Sequence, residues 1–277
     1  MQNRKVILIT GASSGIGYAT AKLLLEEKHI VYCTARRVDK MQELQKLGGK
    51  VLYVDVTDEK TLKQAVQIII GTENRIDVVF ANSGYGCTGA LETVDIEDAK
   101  AEFDVNLFGV ARTIKAVMPQ MRKQGYGHII VTSSLAGIVS TPIMPYYPAS
   151  KQALEGMIDG FRMETEKFGI KVVKIQPYFV DTSFIIPAMQ TLSKAATSES
   201  ATAYKEQIAA FKKNFTKLIT SSQQAVKVAK IVSRIISTKN PKRQYSVGIR
   251  CTLLKIVKRT LGNWAVDKIM IKRFLDK

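Results

Sequence analysis

Short runs of apolar residues alternate with longer amphipathic segments along most of the chain. The short runs are apolar throughout rather than at every second position, which is typical of strands that are covered on both faces of a parallel sheet. They predict six buried strands and a seventh at the edge of the sheet, at Lys5–Thr10, Ile30–Thr34, Val51–Val54, Ile76–Ala81, His128–Ser133, Ile170–Gln176 and Gln244–Val247.

The segments between these strands carry the spacing of helices, with apolar residues three and four positions apart. Asp58 follows Thr57 and is a good N-cap for one of them. The four longest predicted helices are Ile16–Glu27, Asp58–Ile70, Ala99–Lys123 and Ala149–Phe168. Strands that alternate with helices require right-handed crossovers, so we predict an α/β fold with a doubly wound parallel sheet.

The domain organisation is inferred from changes in amino-acid composition along the chain. Residues 1–250 are predicted to form one domain, within which Asp181–Thr202 is rich in Ser, Thr and Ala and indicates a loop or lid, placed at about 183–215. Residues 251–277 form a basic amphipathic segment. Such a segment binds an anionic membrane surface, or its apolar face packs on the core or on a second subunit. Both alternatives stay open, as does a homo-oligomer formed through the two longest helices.

Composition and charge exclude several classes of protein. The chain has 277 residues, 46% of them hydrophobic, with 41 Lys and Arg against 24 Asp and Glu and a formal net charge of +17. Eleven of the basic residues lie in 239–277, against two Asp. We expect no nucleic-acid partner, because no recognition module accompanies this charge. Three cysteines at unpaired spacings predict neither a disulfide framework nor a metal site, and they favour the cytoplasm, with peripheral membrane contact as an option.

A glycine-rich turn joins the first strand to the first helix and reads TGASSGIG over Thr10–Gly17. Its glycines permit a tight turn and a close approach of backbone to a diphosphate, while the helix N-terminus supplies free N–H groups. The alternative is a plain strand–helix turn that needs glycine for steric reasons. The residues predicted to hold the diphosphate are Gly11, Ser13, Ser14, Gly15, Ile16 and Gly17.

The second strand is followed by Arg36 and Arg37 instead of the acid that usually receives the ribose hydroxyls of NAD. Two guanidinium groups suit a 2′-phosphate through charge-assisted contacts. We therefore predict NADP(H), with NAD(H) as the weaker alternative. In the other interpretation these arginines stack on adenine or face solvent.

Tyr147 and Lys151 lie four positions apart on a predicted helix, which places both side chains on one face. A phenol is a poor acid at neutral pH, but a neighbouring ammonium lowers its pKa. Tyr147 then exchanges a proton with a carbonyl or alcohol. The competing phenol, Tyr146, is five positions from Lys151 and is expected to face away.

In their order and spacing these motifs resemble the short-chain dehydrogenase/reductase family over about residues 5–182. Besides the glycine-rich turn, the resemblance rests on Ser134, thirteen positions before Tyr147, on the Tyr147–Lys151 pair, on Asn106, and on the run Asn82, Ser83 and Gly84. It implies a Rossmann-type fold and a carbonyl/alcohol oxidoreductase. The steroid, retinol and acyl-glycerone-phosphate reductase-like members are the most similar.

The resemblance also implies a role for each residue. Ser134 binds the substrate oxygen, Tyr147 transfers the proton, Lys151 tunes Tyr147 and binds the nicotinamide ribose, and Asn106 holds a relay water. The adenine pair is Asp55 and Val56, although Asp55 equally suits a helix cap, and Thr182 contacts the carboxamide. The chain departs from the family at Ala81, where an Asn is usual, and at Tyr178, where a Gly is usual.

Apolar residues around these polar groups predict a hydrophobic substrate that is steroid-, retinoid- or lipid-like. One wall is assigned to Ile138, Val139, Pro142, Ile143 and Met144, and the opposite wall begins at Ser183. These side chains equally suit packing against the core. The alternative to an enzyme is a non-catalytic sensor or scaffold that binds a dinucleotide with the same fold.

Overall fold

The computed structural model describes residues 4–181, 184–220 and 223–276. Seven parallel strands form one sheet in the order β3-β2-β1-β4-β5-β6-β9, which confirms the predicted doubly wound sheet. A short parallel pair, β7 and β8, forms a second sheet. The strands are β1 Val6–Thr10, β2 Ile30–Ala35, β3 Lys50–Tyr53, β4 Val78–Ala81, β5 Gly127–Thr132, β6 Ile170–Pro177, β7 Val180–Asp181, β8 Gln223–Gln224 and β9 Gln244–Val247.

Helices cover both faces of the large sheet, as the uniformly apolar strands require. On one face α1 and α9 pack through residues such as Leu24 and Val232, and on the other α3, α5 and α6 pack through residues such as Ile69, Ile114 and Leu154. The helices are α1 Gly15–Glu26, α2 Gln42–Lys46, α3 Glu59–Glu73, α4 Ile96–Phe103, α5 Gly109–Gln124, α6 Tyr146–Thr165, α7 Ile185–Ala195, α8 Lys205–Thr220, α9 Ala225–Ser237 and α10 Ile249–Leu275.

The apolar stripe on α6 packs inward. Leu154 and Ile158 are buried between α6 and the sheet, and Met157 and Phe161 pack beside them. Of the two alternatives that the sequence leaves open for this helix, packing on the sheet or on a second subunit, the stripe takes the first.

The predicted helix Ala99–Lys123 is two helices, α4 and α5, joined by a π-helical turn at Asp104–Phe108. A π turn adds a residue to the helical repeat and so turns the side chains that follow it to a new direction. Asn106 lies within this turn and is fully buried. The sequence pattern shows no break here, because the π turn keeps the chain helical from α4 into α5.

The Ser-, Thr- and Ala-rich segment predicted as a loop or lid is mostly helical over residues 184–202, which corrects the loop. It contains α7 and a 3₁₀ turn at Glu199–Tyr204, and α8 follows directly. Ala188, Leu192 and Ala195 form the buried face of α7. Two of these three residues are alanines, whose side chains are small. The buried face therefore stands out little in hydrophobicity from the polar residues around it, and the sequence pattern does not reveal the helix.

The C-terminal segment begins at Ile249 and forms α10, which kinks at Gly262, where φ is 75°. Its inner face packs on α8 and β9. Leu254, Val266, Met270 and Phe274 belong to the same buried cluster as Phe211 and Phe215 of α8. Part of the apolar surface of this segment therefore belongs to the core. Among the residues in 4–181, 184–220 and 223–276, no helix has the combined length and apolar character needed to cross a bilayer.

Candidate active site

A pocket of about 930 Å³ opens at the carboxyl ends of the strands. This is the edge at which open α/β sheets bind their ligands. Of the predicted site residues, Gly17 and Asn106 lie behind its wall and Thr182 lies outside the described residues. The predicted residues that line the pocket are Gly11, Ser13, Ser14, Gly15, Ile16, Arg36, Arg37, Asp55, Val56, Asn82, Ser83, Gly84, Ser134, Tyr147 and Lys151.

The glycine-rich turn has the backbone that a diphosphate cradle needs. Gly11 and Gly15 adopt positive φ angles of 71° and 57°. A Cβ atom on Gly17 would lie 2.3 Å from the carbonyl oxygen of Gly11, so only glycine permits α1 to approach the turn this closely. The Ser14 side chain makes no capping hydrogen bond to α1, which leaves the helix N-terminus available to an anion.

The pocket rim beside the turn is basic. The Arg37 guanidinium lies 3.4 Å from Oγ of Ser13 and 3.3 Å from Oγ of Ser14. Arg36 and Arg37 are both exposed at the pocket. Across the rim, Asp55 accepts hydrogen bonds from its neighbour Thr57 and does not cap α3, because Asp58 fills that position.

Asn82 ties the turn to the centre of the sheet. Its Nδ2 donates to the carbonyl oxygens of Thr10 and Gly11 at 3.3 and 3.4 Å, and its Oδ1 accepts from the Thr132 hydroxyl at 3.0 Å. The Asn82 side chain makes all of these contacts. A second amide at position 81, where Ala81 replaces the Asn that is usual in the family, is therefore not needed for them.

Tyr147 and Lys151 lie in the first two turns of α6 and face the pocket together. The Lys151 ammonium is buried, lies 5.9 Å from the centre of the Tyr147 ring and donates to the carbonyl oxygen of Thr132 at 3.0 Å. The ring of Phe184 meets the Tyr147 ring edge-on at 5.1 Å between centres. Pro148 fits the first turn of α6, where no backbone donor is needed.

The ionisation of the pair differs from the sequence expectation. Burial is the main cause that raises the pKa of Tyr147 to about 12, and a hydrogen bond with the Ser134 side chain opposes it. Burial likewise lowers the pKa of Lys151 to about 8. The Lys151 ammonium points to the Thr132 carbonyl oxygen, and in the protein alone the phenol stays protonated at neutral pH.

The structure distinguishes Ser134 and Tyr147 from the residues next to them in the chain. The Ser134 side chain interacts with the Tyr147 phenol, whereas the Ser133 hydroxyl, which also lines the pocket, donates to Glu155 at 2.5 Å. Tyr146, the competing phenol, packs in a different cluster, beside Cys87 and Val94. Ser134 and Tyr147 are thus the serine and the tyrosine that contact each other.

The apolar half of the pocket is built by more elements than the sequence indicated. Val139 and Met144 line it as expected, while Ile143 is buried in the core. Phe184, Ile186 and Met270 complete the wall from α10 and from the region of α7. Met270 was not predicted, because it lies 80 or more positions along the chain from every other lining residue.

A buried carboxyl group was also missed. Glu102 on α4 is completely buried and bonds to Asn106 and Ser150. The signal in the sequence is the four-residue spacing between Glu102 and Asn106, which places both on one helical face.

The chain belongs to the short-chain dehydrogenase family, a family of oxidoreductases: the family model described as short chain dehydrogenase matches residues 5–193. A 3-ketodihydrosphingosine reductase of Bacteroides thetaiotaomicron is 34% identical over 266 residues, which is 96% of this chain and 95% of the relative. An uncharacterized oxidoreductase of Escherichia coli, YbbO, is 32% identical over 268 residues, which is 96% of this chain and 94% of the relative.

Solved structures share the fold. A short-chain dehydrogenase from Streptomyces avermitilis superposes with a TM-score of 0.79 at 26% identity, covering 96% of this chain and 98% of the other. An alcohol dehydrogenase from Thermococcus sibiricus, complexed with 5-hydroxy-NADP, superposes with a TM-score of 0.70 at 25% identity, covering 88% and 96%.

Proposed function

We propose that the protein is an NADP(H)-dependent oxidoreductase that interconverts a carbonyl group and an alcohol on a hydrophobic substrate. The observation that carries the proposal is the convergence of Ser134, Tyr147 and Lys151 on one wall of the pocket that the glycine-rich turn opens. A dinucleotide cradle and an acid/base group in one pocket are the two parts that hydride transfer requires.

Each residue has a definite task in reduction. The nicotinamide, when bound, supplies the hydride. The Ser134 hydroxyl donates to the substrate carbonyl oxygen and stabilises the charge that develops there. The neutral Tyr147 phenol gives its proton to the same oxygen, and its raised pKa keeps it in the acid form at neutral pH. The Lys151 ammonium stabilises the phenolate that remains.

The cofactor preference is argued from the basic rim. Arg36 and Arg37 are exposed at the pocket, and Arg37 already reaches the serines of the phosphate turn. A 2′-phosphate at this rim receives charge-assisted hydrogen bonds that NAD(H) cannot make. The Thermococcus enzyme, which carries an NADP derivative, is a structural precedent for this fold.

The substrate class is argued from the apolar wall. Val139, Met144, Phe184, Ile186 and Met270 surround the space beyond Tyr147. The Bacteroides relative is named for a long-chain keto lipid. We propose a lipid-like ketone or its alcohol as the substrate, with steroids and retinoids as related alternatives.

A panel of hydrophobic ketones and alcohols tests this proposal through the absorbance of NADPH. We expect consumption of NADPH with at least one long-chain keto lipid and weaker consumption with short polar ketones. If no member of the panel is converted while NADPH binds, the chain acts as a dinucleotide-binding sensor or scaffold, which is the competing function.

We further propose a cytoplasmic protein that contacts an anionic membrane through α10. Cys33, Cys87 and Cys251 are free thiols, which suits a reducing compartment. Ile249, Leu253 and Ile256 form an exposed stripe on the first half of α10. Leu261, Trp264 and Ile271 continue the exposed apolar surface beyond the kink, and the exposed basic residues beside it are Arg250, Arg259, Lys268 and Lys272.

Charge favours a lipid surface over a second copy of this chain. None of the salt bridges among the described residues includes a basic residue of α10. Lys255 and Lys258 donate to groups of the protein itself, whereas the exposed basic residues beside the stripe carry charge that no carboxylate in the described part of the chain neutralises and that anionic headgroups attract. Two copies that meet through α10 would instead bring like charges together. Because Met270 of the same helix lines the pocket, a bound membrane lies close to the substrate site.

Vesicle co-sedimentation tests the membrane contact. We expect binding to vesicles that contain phosphatidylglycerol, less binding to pure phosphatidylcholine, and loss of binding in the triple variant Leu253→Gln, Ile256→Gln, Trp264→Gln. A control variant, Leu47→Gln with Ile68→Gln, changes exposed apolar residues on other elements. Equal binding of both variants and the unchanged protein contradicts a role for α10.

A further inference from the structure

A buried carboxyl group lies directly behind the catalytic wall. Glu102 projects from α4 and is completely buried, although a carboxyl group is rarely buried unless its charge is paired or its proton is retained. One carboxyl oxygen accepts from the backbone N–H of Cys87 at 2.7 Å. The other lies 3.2 Å from Nδ2 of Asn106 and 3.1 Å from Oγ of Ser150.

These partners connect Glu102 to both sides of the pocket. Ser150 immediately precedes Lys151, and its hydroxyl also lies 2.8 Å from the carbonyl oxygen of Tyr147. Asn106 bonds to the backbone of Tyr85 through both of its amide atoms, at 3.0 and 2.8 Å. Glu102 thus holds the start of α6 and the segment after β4 against each other.

The burial of Glu102 without a paired cation favours the protonated carboxyl group. None of the salt bridges among the described residues includes Glu102, so an ionised Glu102 would have hydrogen bonds from Cys87 and Asn106 but no ion pair. If Glu102 is protonated, its O–H donates to Ser150, whose own hydrogen bonds the Tyr147 carbonyl oxygen and whose oxygen also accepts from Nδ2 of Asn106.

We propose that Glu102 is a positioning residue that works in its protonated form, holding Asn106 and Ser150 so that Tyr147 and Lys151 keep their places in the pocket. This proposal rests on the proposed function only in its kinetic test, which requires an active enzyme. It assigns Glu102 no contact with substrate or cofactor.

The electrostatic surroundings agree with this assignment. Burial, the largest cause, raises the pKa of Glu102 to about 7, against hydrogen bonds from Cys87 and Ser150 and the charge of Lys151. The titratable groups that face it are Cys87 and Tyr85 from the segment after β4, and Tyr147 and Lys151 from α6. A negative charge on Glu102 raises the pKa of Tyr147, so its ionisation reaches the catalytic phenol.

The sign of the pH dependence follows from the raised pKa. The carboxyl group has its ordinary pKa of 4.5 in the unfolded chain and a pKa of about 7 in the folded protein. The stabilisation is therefore complete below pH 4.5 and is lost as the pH rises through about 7. Glutamine imitates the protonated form towards Ser150 and Cys87, because its amide nitrogen donates to Ser150 and its oxygen accepts from Cys87. The amide nitrogen cannot accept from Asn106, whose Nδ2 has Oγ of Ser150 at 3.1 Å as its other acceptor. Glutamine does not titrate.

The experiment compares Glu102→Gln and Glu102→Ala with the unchanged protein and with Glu97→Gln, an exposed carboxyl group on the same helix. Urea unfolding is measured between about pH 5 and pH 8.5. We expect the unfolding midpoint of Glu102→Gln, relative to the unchanged protein, to rise with pH until about 7 and then to level off. We expect Glu102→Ala to have a lower unfolding midpoint than Glu102→Gln at every pH. The midpoint of Glu97→Gln should change with pH in the same way as that of the unchanged protein.

Kinetics give the second readout. The kcat/KM of the unchanged protein is expected to fall several-fold as the pH rises through about 7, through kcat rather than KM, whereas that of Glu102→Gln falls only where Lys151 loses its proton, at about pH 8. If Glu102→Gln follows the unchanged protein in both profiles, or is inactive at low pH while stably folded, the proposal is wrong. The unfolding measurement does not require an active enzyme. A protein that shows no turnover therefore counts against the proposed function alone, and the dependence of its stability on pH still tests whether Glu102 is protonated.

Discussion

Arg37 connects two parts of the proposed cofactor site, the glycine-rich phosphate turn and the position of the adenosine ribose after β2. Its guanidinium reaches Ser13 and Ser14 in the phosphate turn from a position directly after β2, where the adenosine ribose of a bound dinucleotide lies in this fold. No carboxyl group occupies that position, since β2 is followed by Arg36 and Arg37. The preference for NADP(H) therefore depends on these two side chains.

Replacing Arg37 with Ala is expected to lower kcat/KM for NADPH by roughly 10- to 100-fold, because a hydrogen bond to a charged group contributes about 1.5–3 kcal/mol. The value for NADH should change little. The ratio of the two efficiencies measures the effect, and Lys40→Ala, a nearby loss of positive charge that does not line the pocket, is the control. Equal losses with both nucleotides would contradict a 2′-phosphate contact.

At the scale of residues, the predicted residues that line the pocket are those whose signal in the sequence is local. The four-residue spacing of Tyr147 and Lys151 and the order of the glycines are local, and the structure places them together in one pocket. Glu102 and Met270 could not be predicted, because their partners are distant in the chain and only the packing of helices brings them together.

At the scale of elements, α1 depends on how closely it approaches the turn before it. A Cβ atom on Gly17 would lie 2.3 Å from the Gly11 oxygen and 2.7 Å from Nδ2 of Asn82, whereas a Cβ atom on Gly71 in α3 meets nothing within 4 Å. Replacing either glycine with alanine adds the same methyl group. At Gly17 this group enters a crowded site, and at Gly71 it enters open space.

Gly17→Ala is expected to destabilise the protein by about 1–3 kcal/mol, because the added methyl group must displace backbone. It should also weaken NADPH binding, since the phosphate turn moves. Gly71→Ala is expected to stabilise the protein by about 0.5–1 kcal/mol through helix propensity. Urea unfolding and nucleotide titration measure both effects, and a neutral Gly17→Ala would show that the close approach is unnecessary.

Elements were predicted correctly where apolar residues are large and regularly spaced, as in the seven strands. The π turn at Asp104–Phe108 and the helix α7 were missed for physical reasons. A π turn leaves the apolar pattern nearly continuous, and α7 buries alanines, which contribute little contrast to a hydrophobicity pattern.

At the scale of the whole molecule, α10 is both a structural element and a surface. Phe274 is completely buried and stacks on Phe211, with ring centres 5.6 Å apart, whereas Trp264 on the same helix is 67% exposed. The inner face therefore belongs to the domain, and the outer face is available for the proposed membrane contact.

Phe274→Ala is expected to lower the free energy of unfolding by about 3–5 kcal/mol, because it leaves a cavity in the core. Trp264→Ala should change it by less than about 0.5 kcal/mol. Thermal and urea unfolding distinguish the two. A small effect of Phe274→Ala would mean that α10 is a detachable extension, as the boundary predicted at residue 251 suggests.

The proton transfer assigned to Tyr147 is tested most directly by single-turnover hydride transfer from NADPH in Tyr147→Phe. We expect the rate to fall by about 10²- to 10⁴-fold, the usual contribution of a general acid, with the dissociation constant of NADPH unchanged. Tyr146→Phe, which alters the neighbouring phenol in a separate cluster, should leave both quantities unchanged. Hydride transfer at the unchanged rate in Tyr147→Phe would contradict the assignment.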